Sequence, residues 1–215
     1  MIDKPVEGVQ TDARTHPAGA KGARMSLQEV ADRAWKARMS PRLRAWATQQ
    51  LAACGVSTGG RRAKMQCILD AFRKKVPYVH DPVMGEFMAT PDQLLCLDEN
   101  GLCIIGGDCD EATITLLATA LCLGIPAQVI GSSHKEPLDV PTHVFGAFQD
   151  ELGDWVKIDG TTRYPVGQVA PHAREWWVEP GKQQKESNVG DFVGMSGGEL
   201  AAPSNSFDLL YPGLR

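Results

Sequence analysis

Residues 106–130, GGDCDEATITLLATALCLGIPAQVI, constrain this chain more than any other stretch. Ala112, Ile114, Leu116, Leu117, Ala120, Leu121 and Leu123 surround a helix on nearly every side, so that helix belongs inside a core. Gly124 is placed to end it, and residues 127–130 follow as a short strand. At the entrance Asp108 can cap the helix, and Glu111 three positions later completes a capping box, which makes Cys109 the first residue inside. A sulfur there sits at the positive end of the helix dipole, an environment that favours thiolate over thiol. Cysteines at helix N-termini or beside a histidine reach pKa values of ~3.5 to 7.5 instead of ~8.5. Gly106 and Gly107 let the backbone approach closely just before the cap.

A chain of 215 residues can bury one substantial core around such a helix. The net charge of −4 and a pI of about 5.7 give none of the basic footprint of a nucleic-acid binder. No stretch approaches the ~20 apolar residues of a membrane span, and the start has no apolar signal region, so neither membrane nor export is expected and the cytoplasm is the expected compartment. The six cysteines, at 54, 67, 96, 103, 109 and 122, are then expected to be reduced, with all but Cys109 serving as small core residues. No cofactor or metal is expected, since no CxxC pair occurs and His80, His134 and His172 lie in loop-like sequence without paired spacing.

Along the chain, residues 1–24 read as a flexible arm and 25–180 as the folded domain, followed by a flexible tail at 181–215. A capping-box pattern at Ser26 and Glu29 predicts the first helix, with Leu27, Val30, Ala31, Ala34 and Trp35 along its buried stripe. Ser40-Pro41 opens a second, running to Gly55, and Met65, Ile68, Leu69, Phe72 and Val76 mark a third that ends in Arg73, Lys74 and Lys75. Thr90-Pro91-Asp92-Gln93 caps a short helix carrying Leu94 and Leu95, and residues 98–101 form a turn. Beyond the central helix, residues 142–148 and 155–158 form a hairpin, and Trp176, Trp177 and Val178 form a last strand or cover a sheet edge. At the end of the tail Phe207, Leu209, Leu210 and Tyr211 form an apolar cluster, which reads either as a tethered docking peptide or as a segment folding back on its own domain.

With the hairpin turn centred on Glu151, His143 faces Asp159 and Val144 faces Ile158. Directly opposed residues have Cβ atoms ~4.5 to 5.5 Å apart, within reach of an imidazole-carboxylate hydrogen bond, and a slip of two residues leaves the pair diagonal. Cys109 as nucleophile, His143 as base and then acid, and Asp159 as the group that fixes the imidazole tautomer make a catalytic triad for acyl transfer through a thioester. The Cys109 amide is one oxyanion donor, and Gln93 and Tyr78 are side chains of suitable type for a second. A metal-binding protein using Cys109, His143 and Asp159 as ligands is the rival of a different class.

In that order, GGDCDEATITLLATALCLGIPAQVI, THVFGAF and GDWVKIDGTT resemble the three core motifs of the transglutaminase-like, papain-like cysteine enzyme superfamily. Tyr-Val-His-Asp-Pro at 78–82 resembles the approach to this domain in phage and bacterial members. The resemblance covers residues 78–162. It implies an α+β fold, with the helix bearing Cys109 packed on an antiparallel sheet, and a Cys109, His143, Asp159 triad flanked by Trp155 and Thr161. It also implies a peptide or protein acyl substrate. Water as acceptor gives a peptidase or amidase, and an amine gives a crosslinking transglutaminase. The alternative it implies is a phage virion structural or assembly protein that keeps the fold with the chemistry unused, its tails docking on phage structural proteins.

Overall fold

Helix α5 (Cys109–Cys122) is buried along almost its whole length, from Glu111 to Ala120 and again at Cys122. A computed structural model describes residues 13–14, 19–81, 86–96, 103, 105–134 and 138–182, all within one compact unit. Packed against α5 are three helices, α1 (Ala20–Ala37), α2 (Pro41–Ala53) and α3 (Arg61–Lys75). Also packed against it is a sheet of β3 (Ala127–Ser133), β4 (His143–Gln149), β5 (Trp155–Ile158) and β6 (Arg174–Val178), antiparallel throughout in the order β5-β4-β3-β6. The fold is therefore α+β, with the apolar α5 enclosed by helices and sheet and with α1 beside it on β3 and β6. The contact with the sheet is close. A Cβ on Gly146 would lie 2.4 Å from Leu117 of α5, so a glycine is required for the helix to rest on the β4 backbone.

The helix-facing side of the sheet (Val129, Val144, Phe148, Val156, Ile158, Val178) joins the main core. The outer side carries a second, smaller cluster of Ile130, Phe145 and Ala147 under Val169 and Trp177. Edge strands β5 and β6 approach each other over this outer side. Trp155 and Trp177 meet edge to face at 6.2 Å, and Lys157 of β5 pairs with Glu175 of β6, so the sheet is curled.

Several expectations need correction. The first helix begins six residues before the Ser26 capping pattern, at Ala20, with Gly19 as an N-cap that makes no side-chain bond. Ala20, Lys21, Ala23, Arg24 and Met25 favour helix strongly enough to extend it, and Glu29 accepts from Arg33 one turn on instead of capping. Within the expected arm, Ala13–Arg14 forms a strand, β1, paired with β2 (Glu86–Phe87). Trp35 stands 38 % exposed beneath the Arg38 guanidinium, 3.4 Å away, so it is no core anchor, whereas Trp46 is buried. Cys54 and Cys67 form a disulfide between the C-terminus of α2 and α3. They are neither reduced nor both core residues, since Cys54 is exposed. Helix α4 (Pro91–Leu94) starts at the expected cap, and the structure adds a full capping box, with Thr90 as N-cap and Gln93 answering it. The turn at 98–101 and the apolar end of the tail lie outside the described residues. Among the described residues no helix is long and apolar enough to cross a membrane.

The hairpin register also differs. Gly146 pairs with Ile158 and Phe148 with Val156, two residues on from the expected pairing, because the turn centres on Leu152 instead of Glu151. Asp150 decides this: its carboxylate accepts from the amides of Leu152 and Asp154, each at 3.0 Å, and closes the turn around them.

Candidate active site

Strand β5 leaves the sheet after Ile158, opposite Gly146, so the β4 backbone at Val144 has no strand partner on that side. The first turn of α5 fills the notch. Thr113 Oγ1 donates to the Val144 carbonyl at 3.2 Å, and the Val144 amide acts on the Cys109 thiol to lower its pKa. The first turn of α5 is thereby held beside the residue that follows His143. The helix starts where the sequence predicts, with Asp108 as N-cap, its Oδ1 accepting from Asp110 N at 2.9 Å, and Glu111 returning the bond to Asp108 N at 3.0 Å.

His143 and Asp159 meet as the sequence indicates, although diagonally and not face to face. His143 Nε2 donates to Asp159 Oδ2 at 2.9 Å, which fixes the tautomer and leaves Nδ1 as the basic nitrogen of the ring. Asp159 is only 2 % exposed. Burial alone would raise its carboxyl, but the hydrogen bond and charge of His143, with the Thr161 amide at 2.9 Å and hydroxyl at 2.8 Å, outweigh it and hold the group below its usual value. Gly160 is required here, because a Cβ at that position would lie 2.8 Å from the Ala112 Cβ of α5.

The Cys109 thiol does not behave as the helix dipole alone predicts. Burial first, and then the carboxylates of Asp110 and Asp108, raise the Cys109 thiol well above its ordinary value, with the Val144 amide only partly opposing them. The residues that start the helix at Cys109 are the ones that surround its sulfur with negative charge. Its side-chain hydrogen bond is to Asp110 Oδ1 at 3.6 Å, and none joins it to His143. Glu111 is likewise pushed up to about 8, by burial and by Asp108 beside it. Its second oxygen accepts from Ala89 N at 2.9 Å, tying residue 89 to the Cys109 turn.

The donor atoms of Cys109, His143 and Asp159 do not converge as a ligand set. Among the described residues the group that does is Asp108, Cys109 and Asp110, so the rival metal assignment loses its geometry. Gln93 is occupied in the α4 cap, where its Oε1 accepts from Thr90 N at 2.7 Å, and Tyr78 meets His80 at 3.4 Å. Tyr78 does border the nucleophile turn, since Val79 N donates to Gly107 O at 3.0 Å and Gly107 N to Pro77 O at 3.1 Å. An open cleft of about 560 Å³, lined by Trp155, Lys157, Tyr164 and Pro171 among others, includes neither Cys109 nor His143.

Three neighbours of Cys109, His143 and Asp159 had no signal in the sequence. Arg73 reaches from α3 to donate to the carbonyls of Asp159 and Tyr164, at 2.6 and 2.7 Å, and so clamps the loop after β5; its position in a basic helix end shows only the dipole role. His134 and His172 are not isolated surface histidines. The segment before β6 brings them into a cluster with His143, at 5.9 Å between the rings of His134 and His143 and 5.9 Å between His134 and His172.

No protein-family model matches the chain, and neither a curated protein nor a solved structure matches it.

Proposed function

We propose that the protein is a cysteine acyl-transfer enzyme of the transglutaminase-like, papain-like kind, working through a thioester on Cys109. The observation that carries this reading is the 2.9 Å bond from His143 Nε2 to a buried Asp159, set beside a cysteine at the first position of the core helix. In this reading the Cys109 sulfur attacks a peptide or protein acyl carbonyl while its proton passes to His143 Nδ1. Asp159 stabilises the resulting imidazolium, which returns the proton to the leaving group. The Cys109 amide, at a helix N-terminus, supports the tetrahedral oxyanion. Water or an amine then resolves the thioester, giving hydrolysis or crosslinking.

One observation favours the second reading, a virion structural or assembly protein with unused chemistry: the resting thiol is held protonated by burial and by Asp110 and Asp108, without a hydrogen bond to His143. Reaction with p-nitrophenyl acetate separates the two. An acyl-transfer enzyme shows a burst of p-nitrophenolate and a Cys109-linked acetyl group by peptide mass spectrometry, and His143→Ala slows the burst by roughly 10² to 10⁴-fold. Acetylation of Cys96 in preference to Cys109, or a Cys109 rate indifferent to His143→Ala, would overturn the enzymatic reading.

A further inference from the structure

His134, His143 and His172 form a row on the outer side of the sheet, and the two outer rings differ from the middle one in their partners. His143 donates to Asp159, and His172 donates through Nε2 to Glu175 and through Nδ1 to the Ala170 carbonyl at 2.8 Å. With both nitrogens donating, His172 is an imidazolium, and Glu175, which Lys157 and Trp177 Nε1 also contact, raises its pKa. Among the described residues His134 touches no carboxylate. Its Nδ1 donates to the Pro171 carbonyl at 2.8 Å, and its Nε2 lies 3.3 Å from the hydroxyl of buried Ser132, the residue paired with His143 across β3 and β4. A neutral ring satisfies both contacts, because the hydroxyl can donate to Nε2.

We propose that His134 is a positioning residue for charge: it stays neutral between two imidazoles that have carboxylate partners, and it takes up a proton only in competition with His143. The ionisable groups around it are His143 on β4, Asp159 after β5, and His172 with its Glu175 and Lys157 partners from β6 and β5; Lys135 and Glu136 adjoin it in sequence. Burial, and then the nearby rings, lower its pKa, which agrees with the geometry. Two charges about 6 Å apart at a partly exposed site shift each other's titration by roughly half to one pH unit. A cation at position 134 therefore weakens His143 as a base. The consequence for acyl transfer rests on the function proposed above, whereas the coupling between the rings does not.

The test is an NMR titration of the imidazole Cε1–H signals in the full-length protein. His143→Gln is expected to raise the His134 midpoint by roughly half to one pH unit, and His134→Lys to lower the His143 midpoint by a similar amount, because the coupling is reciprocal. A His134 midpoint unmoved by His143→Gln overturns the proposal. So does a His143 midpoint unmoved in a His134→Lys protein whose amide spectrum shows it folded. If the midpoints move but p-nitrophenyl acetate never acylates Cys109, the coupling stands and the enzymatic reading fails. Where acylation occurs, His134→Lys is expected to slow it about three- to tenfold at neutral pH and His134→Gln to slow it less; equal losses in both variants would mark a packing role alone and overturn the proposal.

Discussion

At Asp159 a carboxylate is buried because it accepts three hydrogen bonds, one from His143 and two from Thr161. Asparagine at this position is nearly isosteric and can still accept from Thr161, but its amide nitrogen would then face His143 Nε2. The ring would answer by moving its proton to Nδ1, the nitrogen that the proposed acyl transfer uses as the base. Asp159→Asn is thus expected to leave the thermal transition close to that of the parent while lowering the acetylation rate of Cys109 by about 10² or more. Stopped-flow p-nitrophenolate release beside a melting curve checks both halves, and an unchanged rate removes Asp159 from the chemistry.

Strands β5 and β6 are the edges of the sheet, and the charges that join them are Lys157, Glu175 and His172. Burial would raise Glu175, but hydrogen bonds from His172 and Lys157 bring it from 4.5 down to about 2. A depressed carboxylate contributes stability above its unfolded value of 4.5 and loses it as the pH falls towards about 2. His172, raised from 6.5, contributes stability below 6.5 and loses it as the pH rises through its higher folded value. Both contributions are complete between 4.5 and 6.5. Glu175→Gln is therefore expected to cost roughly 1 to 3 kcal/mol in that window, since it leaves two cations facing each other at a partly buried edge. The loss should shrink on acidification, and also in base as far as His172 accounts for it. Urea unfolding at about pH 3, 5.5 and 8.5 measures the profile, and a pH-independent difference would mean that the cost is one of packing.

For the molecule as a whole, the Cys54–Cys67 bridge closes the α2–α3 connection over a separation of 13 residues, and a loop of that size limits the unfolded chain by about 3 kcal/mol. Cys54→Ser, compared with the oxidised parent by chemical denaturation, is expected to lose up to that amount, and equal midpoints would show that the bridge adds nothing. The bridge was not legible in the sequence because two cysteines on separate helices carry no sign of whether those helices pack. What the sequence did determine is local. The apolar circumference of α5, the Asp108 and Glu111 box that starts it at Cys109, the Ser40-Pro41 and Thr90-Pro91 helix starts, and the strand-forming run of β4 all depend on neighbours within a turn or a strand. The meeting of His143 and Asp159 was legible too, because a slip of two residues in a hairpin moves a partner without changing its face. Tertiary structure alone decided the rest. It brought Arg73 to the loop carbonyls and drew His134 and His172 to His143, contacts that join separate elements of the fold, whereas the turn closed by Asp150 is local and lies within four residues of it. It also reversed the expectation for the thiol: the dipole of α5 is a property of the helix, whereas burial against β4 together with the directions of the Asp108 and Asp110 carboxylates sets the charge on Cys109.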